Sequence, residues 1–281
     1  MPEPTPGPER SASLGTEGEL DQDRYIGTRD LTRWKSGPGL WLADSVNRIG
    51  RLLGPYQALV LLLALGAGIS VTMTWLASET YEAVTQANGV AALDHPVLDT
   101  MLGLRSPGTN VLATAYTNIA GVVGMPILAA ATMVTLALRR RSWTPVILIT
   151  AAAAGSLFMT LSGKNLIGRT RPPLADAVPP YEHSASFPSG HTLNALVIAG
   201  IVAYVLLLRQ HSRRTRVLTI TLASTFALTI GISRVFLGHH WFTDVLAAWL
   251  LGLAWLAIVI TAHRLYLTTR KRTTPAPFAE P

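Results

Sequence analysis

The stretch Thr192 to Leu208, TLNALVIAGIVAYVLLL, carries no charged side chain and is nearly long enough to cross the hydrocarbon of a bilayer as one helix. A helix satisfies its own backbone hydrogen bonds, which lipid cannot do for it. The stretch is followed at once by a basic loop that contains Arg209, Arg213, Arg214 and Arg216. It therefore predicts a transmembrane helix that ends at a positively charged surface.

Five further apolar blocks flank this one. The six predicted spans cover, approximately, residues 56–77, 111–138, 146–161, 192–208, 217–232 and 242–265. Only 14% of the chain is charged and 49% is hydrophobic, whereas about a quarter of an ordinary soluble domain is charged. We therefore expect an all-α, polytopic membrane protein with six transmembrane helices.

The remaining sequence sets the domain bounds. Residues 1–37 are rich in Pro, Gly, Glu and Arg without an apolar run, so we expect a disordered tail there and a second one at residues 271–281. The transmembrane domain is predicted over residues 38–270. Four apolar residues near its start recur at helical spacing, namely Leu42, Val46, Ile49 and Leu53. This spacing indicates either a short interfacial helix or an extension of the first span.

The distribution of positive charge predicts the orientation of the chain. Six spans place both termini on one side, and the side richer in Lys and Arg is cytoplasmic. Of the 23 basic residues, only five lie on the opposite side, namely Arg105, Lys164, Arg169, Arg171 and Arg234. We therefore expect both termini in the cytoplasm and the spans in the plasma membrane. Because the charge alternates by loop instead of forming one patch, nucleic acid is not an expected partner.

Three of the outer cations border predicted spans. Lys164 ends the third span, Arg171 follows it before Pro172, and Arg234 lies just beyond the fifth span. If the third helix continued, Lys164 and Arg171 would share one face, two turns apart. Cations gathered at one membrane surface are costly unless an anion holds them together, so this group predicts an anionic ligand.

A second segment, Pro188-Ser189-Gly190-His191, immediately precedes the fourth span. A Ser-Gly pair at a helix start presents a hydroxyl and free backbone N–H groups, which suit a phosphate. Because an imidazole titrates near neutral pH, His191 can act as a general acid. A plain helix cap at Ser189 and Gly190 is the alternative, and it is compatible with phosphate binding because both use the same amides.

A third segment, SRVFLGHHWFTD at residues 233–244, precedes the sixth span. If His240 lies on the first turn of that helix, Asp244 is at i+4 on the same face. A carboxylate that holds one imidazole nitrogen fixes the tautomer and leaves the other nitrogen as a nucleophile. His239 would then point elsewhere. The alternative for Asp244 is a simple ion pair with Arg234.

Together the three segments resemble the signature of the type 2 phosphatidic acid phosphatases. That pattern is Lys, six residues, Arg-Pro; then Pro-Ser-Gly-His; then Ser-Arg, five residues, His, three residues, Asp, and every spacing is kept here. The resemblance implies that His240 attacks phosphorus, that Asp244 orients it and that His191 protonates the leaving group. It also implies that the phosphoryl oxygens are held by Lys164, Arg171, Ser189, Gly190 and Arg234. No metal or other cofactor is expected from the resemblance.

The expected activity is hydrolysis of a phosphomonoester or diphosphate of a lipid through a phosphohistidine, at the extracytoplasmic face. Candidate substrates are phosphatidic acid, phosphatidylglycerol phosphate and a polyprenyl diphosphate. Arg169 is expected to face lipid headgroups, and a place in the phosphate site is the alternative. Three alternatives stay open: phosphotransfer to another alcohol, a vanadium-dependent haloperoxidase, whose signature is similar, and a non-catalytic transporter. The chain has no cysteine, which excludes a thiolate nucleophile.

Overall fold

The computed structural model describes residues 23–26, 29–53, 68, 71–72 and 89–271 of the 281-residue chain. Within these ranges the helices are α1 (Gly37–Leu53), α2 (Asp94–Gly103), α3 (Pro107–Thr117), α4 (Gly124–Arg140), α5 (Thr144–Ile167), α6 (Gly190–Leu207), α7 (Arg213–Phe236) and α8 (Phe242–Lys271). Short 3-10 turns occur at Gly89–Leu93, Asn118–Ala120 and Leu174–Asp176. A two-stranded antiparallel pair, β1 (Tyr25–Ile26) and β2 (Arg29–Asp30), precedes them.

Helix α6 is the centre of the bundle and packs against α5, α7 and α8. Its core side chains include Leu193, Val197 and Ile201, all of which are buried. Small residues allow the helices to approach closely, as is common in membrane bundles. A Cβ on Gly155 of α5 would lie 2.0 Å from the ring of Trp255, and one on Gly200 of α6 would lie 2.4 Å from Leu256.

Four helices, α5 to α8, are each long and apolar enough to cross a membrane, and the pair α3 and α4 adds a fifth span if it crosses as one bent unit. The outward side of α7 exposes Val217, Leu218, Leu222 and Leu228. An apolar surface of this kind fits contact with lipid. Apart from residues 68 and 71–72, the predicted first span, residues 56–77, lies outside the described residues. The count of six and the side of the termini therefore stay predictions.

The predicted second span, residues 111–138, is not one continuous helix. Helices α3 and α4 meet at a bend of 48°, with the 3-10 turn Asn118–Ala120 between them. A Cβ on Gly124 would lie 2.3 Å from the carbonyl oxygen of Asn118, so the chain can fold this tightly only with glycine there. The prediction of one continuous helix was wrong because the sequence stays apolar through the break, so hydrophobicity alone does not reveal it.

The third span is longer than predicted, but it ends before Arg171, the second cation of the first motif. Helix α5 runs to Ile167 and is terminated by Gly168, whose φ is +59°. A left-handed glycine is a common helix terminator because it lacks the Cβ that penalises this conformation. Lys164 therefore lies on the helix while Arg171 lies in the loop after it. The condition under which both would share one helical face, that the third helix continues to Arg171, is therefore not met.

Part of the predicted N-terminal tail contacts the helical bundle. Residues 23–26 and 29–36 lie within the predicted disordered tail, yet Asp23 is fully buried and accepts a hydrogen bond of 2.9 Å from Arg209. Arg264 of α8 also lies over the ring of Trp34, 4.4 Å from its centre. Side-chain contacts with the bundle therefore hold this stretch, and the bounds of the predicted tail stay a prediction. Residues 1–22 and 272–281 lie outside the described residues, and α1 extends over the predicted helical spacing.

The three motif segments lie together at one end of the bundle. There α5 and α7 end while α6 and α8 begin. Two Arg-rich segments lie at the opposite end. Residues 139–141 span the end of α4, and residues 209–216 span the connection from α6 to α7 and the first turn of α7. The alternation of charge predicted from the sequence therefore corresponds to the two ends of a helical bundle.

Candidate active site

His240 lies in a tight turn between α7 and α8, so the condition that it lies on the first turn of α8 is not met. Helix α8 begins two residues later, at Phe242. The turn depends on Gly238, whose φ is +69° and whose absent Cβ would lie 2.3 Å from the carbonyl oxygen of Asp176. The backbone N–H groups of His239 and His240 both donate to the carbonyl of Arg234, at 3.0 and 3.3 Å. The histidines are thus held by backbone contacts and not by helical periodicity.

The imidazole of His240 lies between a carboxylate and a guanidinium. Its Nδ1 is 3.5 Å from Oδ2 of Asp244 and 3.4 Å from the hydroxyl of Ser186. Its Nε2 is 3.3 Å from Nη1 of Arg171. A guanidinium can only donate, so this geometry favours the tautomer with the proton on Nδ1 and a lone pair on Nε2. The predicted pairing with Asp244 is present although His240 is not helical.

The environment keeps this imidazole neutral. Burial, followed by the positive charges of Arg171 and Arg234, lowers the pKa of His240 well below its ordinary 6.5. Both His240 and Asp244 are at most 1% exposed in their side chains. A neutral imidazole whose lone pair faces cations is suited to attack an anionic phosphoryl group that those cations bind.

Asp244 is held by several donors besides His240. Its Oδ2 accepts 2.5 Å and 3.0 Å hydrogen bonds from the Ser186 hydroxyl and the Trp241 backbone N–H. Its Oδ1 accepts from Nη1 of Arg169 at 2.6 Å. The carboxylate is therefore fixed in position from three sides, as an orienting group must be.

Arg169 connects Asp244 to a second buried carboxylate. Its Nη2 lies 2.6 Å from Oδ2 of Asp94, at the start of α2. Asp94 in turn accepts from the N–H and the hydroxyl of Thr243 at 2.9 and 2.8 Å. Arg169 is buried, so the expectation that it faces lipid headgroups was wrong. Its charge is neutralised inside the protein by two carboxylates, which headgroup exposure would not require.

The three predicted phosphate-binding cations converge beside His240. Arg171 donates to the backbone carbonyls of Ser184 and His239, at 2.7 and 2.5 Å. Lys164 donates to the hydroxyl of Ser184 at 2.9 Å. Arg234 is only 2% exposed in its side chain. These contacts aim the cationic groups into one space between the loop after α5 and the turn before α8.

An unpredicted acid, Glu182, occupies that space. Its Oε2 lies 2.8 Å from Nη2 of Arg171, and its Oε1 accepts from Nη2 of Arg234. Oε1 is also 3.9 Å from Nδ1 of His191. Burial alone would raise the pKa of Glu182, but the surrounding positive charges, Arg234 foremost, outweigh burial and lower it to about 2. The carboxylate is therefore ionised throughout the physiological range.

The second motif begins helix α6, as predicted. Ser189 is the N-cap residue, and its hydroxyl contacts that of Thr192 at 2.8 Å instead of capping the helix. Gly190 lies against α5, where a Cβ would be 3.1 Å from Thr160. The first amides of a helix have no partner within it and attract anions. His191, on the first turn, is half-buried and faces the same space as Glu182.

His239 points away from this cluster. Its Nε2 lies 2.6 Å from the backbone carbonyl of Val178. Burial, followed by the charge of Arg234, lowers the pKa of His239 to about 4. The two adjacent histidines thus have opposite orientations, and His240 is the one that faces the cations.

A sequence profile of the PAP2 superfamily matches residues 144–266, from the start of α5 into α8. Phosphatidylglycerophosphatase B of Bacillus subtilis (strain 168) is 30% identical over 176 residues, which are 61% of this chain and 83% of that relative. The chain belongs to the PAP2 superfamily. The crystal structure of a transmembrane PAP2 type phosphatidylglycerolphosphate phosphatase from Bacillus subtilis is also similar, with a TM-score of 0.60 and 26% identity over 68% of this chain and 94% of that one.

The PAP2 match covers all eight site residues predicted from the three motifs, but not Asp94. Four residues near the site are outside the predicted set of site residues, namely Asp94, Arg169, Glu182 and Ser186, although Arg169 was an alternative candidate for the phosphate site. Arg169 alone carried a signal, as one of the few basic residues on the predicted outer side. The other three are common loop or helix-start residues, and only their contacts distinguish them.

Proposed function

We propose that this PAP2 protein is an integral membrane phosphatase that hydrolyses a lipid phosphate through a phosphohistidine on His240. The observation that carries the proposal is the placement of the imidazole. Its Nε2 lies 3.3 Å from Arg171 and its Nδ1 faces Asp244 at 3.5 Å. A nucleophile, its orienting carboxylate and the cations for the phosphoryl group thus occupy one small volume.

In the first step, Nε2 of His240 forms a bond to phosphorus while the bond from phosphorus to the lipid oxygen breaks. Protonated His191 gives its proton to that oxygen, so the lipid leaves as an alcohol, or as a monophosphate if the substrate is a diphosphate. The imidazole of His240 becomes cationic and is stabilised by Asp244. The cations and the amides of Ser189 and Gly190 hold the equatorial oxygens.

In the second step, His191, now neutral, takes a proton from a water molecule whose oxygen attacks the phosphohistidine. The phosphorus–nitrogen bond breaks, inorganic phosphate leaves and His240 returns to its neutral form. Arg171 and Arg234 each present several N–H donors to two oxygens at once, whereas Lys164 contributes a point charge. These cations supply the electrostatic stabilisation, so no metal ion is required for the scheme. The nearby carboxylates of Asp94, Asp244 and Glu182 are each paired with arginine.

The position of the site supports a lipid as the substrate. His191 begins a membrane-spanning helix and Arg234 lies near the end of another, so the cations are at the level where a headgroup lies while its tails remain in the bilayer. Phosphatidylglycerol phosphate is the first candidate because of the names of the similar proteins. Phosphatidic acid and a polyprenyl diphosphate are the others. The basic loops at the opposite end support an extracytoplasmic site in the plasma membrane.

The test is phosphate release by the purified, detergent-solubilised protein from each of the three lipids, with EDTA present. We expect release from at least one lipid, trapping of a phosphoenzyme in rapid-quench experiments, and loss of both in His240→Ala. Loss of a covalent nucleophile lowers kcat by roughly a thousandfold or more. His239→Ala is the matched control and should retain most of the activity. A strict need for a divalent ion, or a phosphoenzyme that survives in His240→Ala, would contradict the scheme.

A further inference from the structure

The carboxylate of Glu182 lies where the proposed function requires phosphate. It contacts both Arg171, at 2.8 Å, and Arg234, and it is 3.9 Å from His191. A carboxylate presents two oxygens to arginine in the same forked geometry as two oxygens of a phosphoryl group. The cations of the site are therefore already engaged by an anion that belongs to the chain.

We propose that Glu182 is an internal competitor: in the unliganded enzyme its carboxylate occupies the position of two phosphoryl oxygens, and every incoming anion must displace it. This inference rests on the proposed function, because it assigns Arg171 and Arg234 to the substrate phosphate. Glu182 then sets the minimum affinity for Arg171 and Arg234 that a headgroup needs in order to displace it.

The geometry allows the acid to leave without dismantling the site. The side chain of Glu182 is 28% exposed, whereas those of Arg171 and Arg234 are 12% and 2% exposed. Glu182 also belongs to the loop between α5 and α6, so rotation about its side-chain bonds moves the carboxylate toward solvent. Arg171 remains held by the carbonyls of Ser184 and His239. Arg171 therefore stays in place when the carboxylate swings away, and Arg234 keeps its 3.4 Å contact with the hydroxyl of Thr117.

The consequence for selectivity follows from the population of the open state. If the site is open for only a fraction of the time, its apparent affinity for every ligand is its intrinsic affinity multiplied by that fraction. A dianionic phosphomonoester, with three cations to pair with, tolerates this reduction. A phosphodiester lipid carries one negative charge and binds more weakly from the start. The competitor thus keeps the abundant phosphodiester lipids from filling the site, although it does not change the ratio between their affinity and that of a phosphomonoester.

A competitor differs from two other roles of the same acid in its expected effect on anion binding. If Glu182 only repelled anions from nearby, removing its charge would strengthen binding of a dianion more than that of a monoanion. If Glu182 only positioned the two arginines, removing its charge would weaken binding of both. A competitor predicts a third result, in which both anions gain by one common factor.

The experiment measures binding of methyl phosphate, a dianion, and dimethyl phosphate, a monoanion, to detergent-solubilised full-length protein by ligand-dependent thermal unfolding. Glu182→Gln should lower both dissociation constants by the same factor, about tenfold if the internal contact is worth one moderate charge pair. Asp99→Asn removes one exposed acid of α2 and should leave both constants unchanged. A larger gain for methyl phosphate than for dimethyl phosphate, no gain, or a loss for either would overturn the proposal.

The same variants distinguish this proposal from the proposed function, because small-anion binding needs no turnover. A common gain in Glu182→Gln with no lipid hydrolysed by the wild-type protein would uphold the competitor and refute the phosphatase activity. Lipid hydrolysis by the wild-type protein with unchanged anion binding in Glu182→Gln would refute the competitor alone.

Discussion

The guanidinium of Arg169 lies 2.6 Å from the carboxylate of Asp94, although 75 residues separate them in the chain. The same guanidinium holds Asp244 at 2.6 Å. Asp94 begins α2 and Asp244 lies in the first turn of α8, so one cation joins two helices behind the candidate nucleophile. The position of Asp244, and through it the orientation of His240, therefore depends on residues outside the three motifs.

Arg169→Gln should reduce both stability and kcat. It would leave two buried carboxylates without their cation, a change that costs about 3–5 kcal/mol in comparable buried pairs. Asp94→Asn should have a smaller effect, because Arg169 keeps Asp244 as its partner. Adding Asp94→Asn to Arg169→Gln should cost little more, since the network is already broken. Unfolding in detergent and steady-state kinetics measure these effects, and equal effects of Arg169→Gln and the exposed control Arg213→Gln would contradict the network.

The pH dependence of kcat/KM should report the charges around His240. Burial, followed by the charges of Arg171 and Arg234, lowers the pKa of His240 below 6.5. The imidazole therefore stays neutral at pH 6.5, and the acidic limb of the kcat/KM profile should lie below that pH. Arg171→Gln removes a charge that opposes protonation, so the pKa should rise and the limb should move to higher pH. Arg171→Lys keeps the charge and should keep the limb low.

Both Arg171 variants should lose activity at every pH, because each loses the forked contact with phosphate. The informative quantity is the position of the limb, measured with one substrate so that ionisation of its phosphate is common to all profiles. Identical limbs for the Gln and Lys variants would mean that another group controls it.

Gly238→Ala should disturb the turn that carries His240. The residue has a φ of +69°, and a Cβ there would lie 2.3 Å from the carbonyl oxygen of Asp176. Left-handed backbone at a non-glycine residue costs about 1–3 kcal/mol, and relief of the clash would shift the histidine. Gly103→Ala is the control, since nothing lies within 4 Å of its added Cβ. Wild-type kcat and melting temperature in Gly238→Ala would contradict this account.

The sidedness of the site can be measured by cysteine labelling, because the natural chain contains no cysteine. Leu174→Cys places a thiol in the exposed loop near the site, and Arg214→Cys places one at the opposite end of the bundle. In intact cells, a membrane-impermeant thiol reagent should label the variant at 174. The variant at 214 should react only after permeabilisation, and the reverse pattern would place the site in the cytoplasm.

Much of the site was predictable from sequence because its chemistry is carried by short segments. Ser189 to His191 begin α6 as predicted, and His240 and Asp244 pair across four positions in the chain. The structure differed where a break in a helix changed the geometry. Gly168 ends α5 before Arg171, and the turn at Gly238 precedes α8, so neither Arg171 nor His240 lies on the helix that its spacing would have required.

The amino-acid sequence by itself determined the α-helical membrane architecture and the set of residues that meet at one end of the bundle. Long apolar blocks and the placement of Lys and Arg are local properties, and they govern insertion of each helix separately. Only the tertiary structure decided that Arg169 is buried against Asp94 and that Glu182 lies between Arg171 and Arg234. Such contacts join residues far apart in the chain, so they depend on how the loops pack over the helix ends and leave no periodic pattern in the sequence.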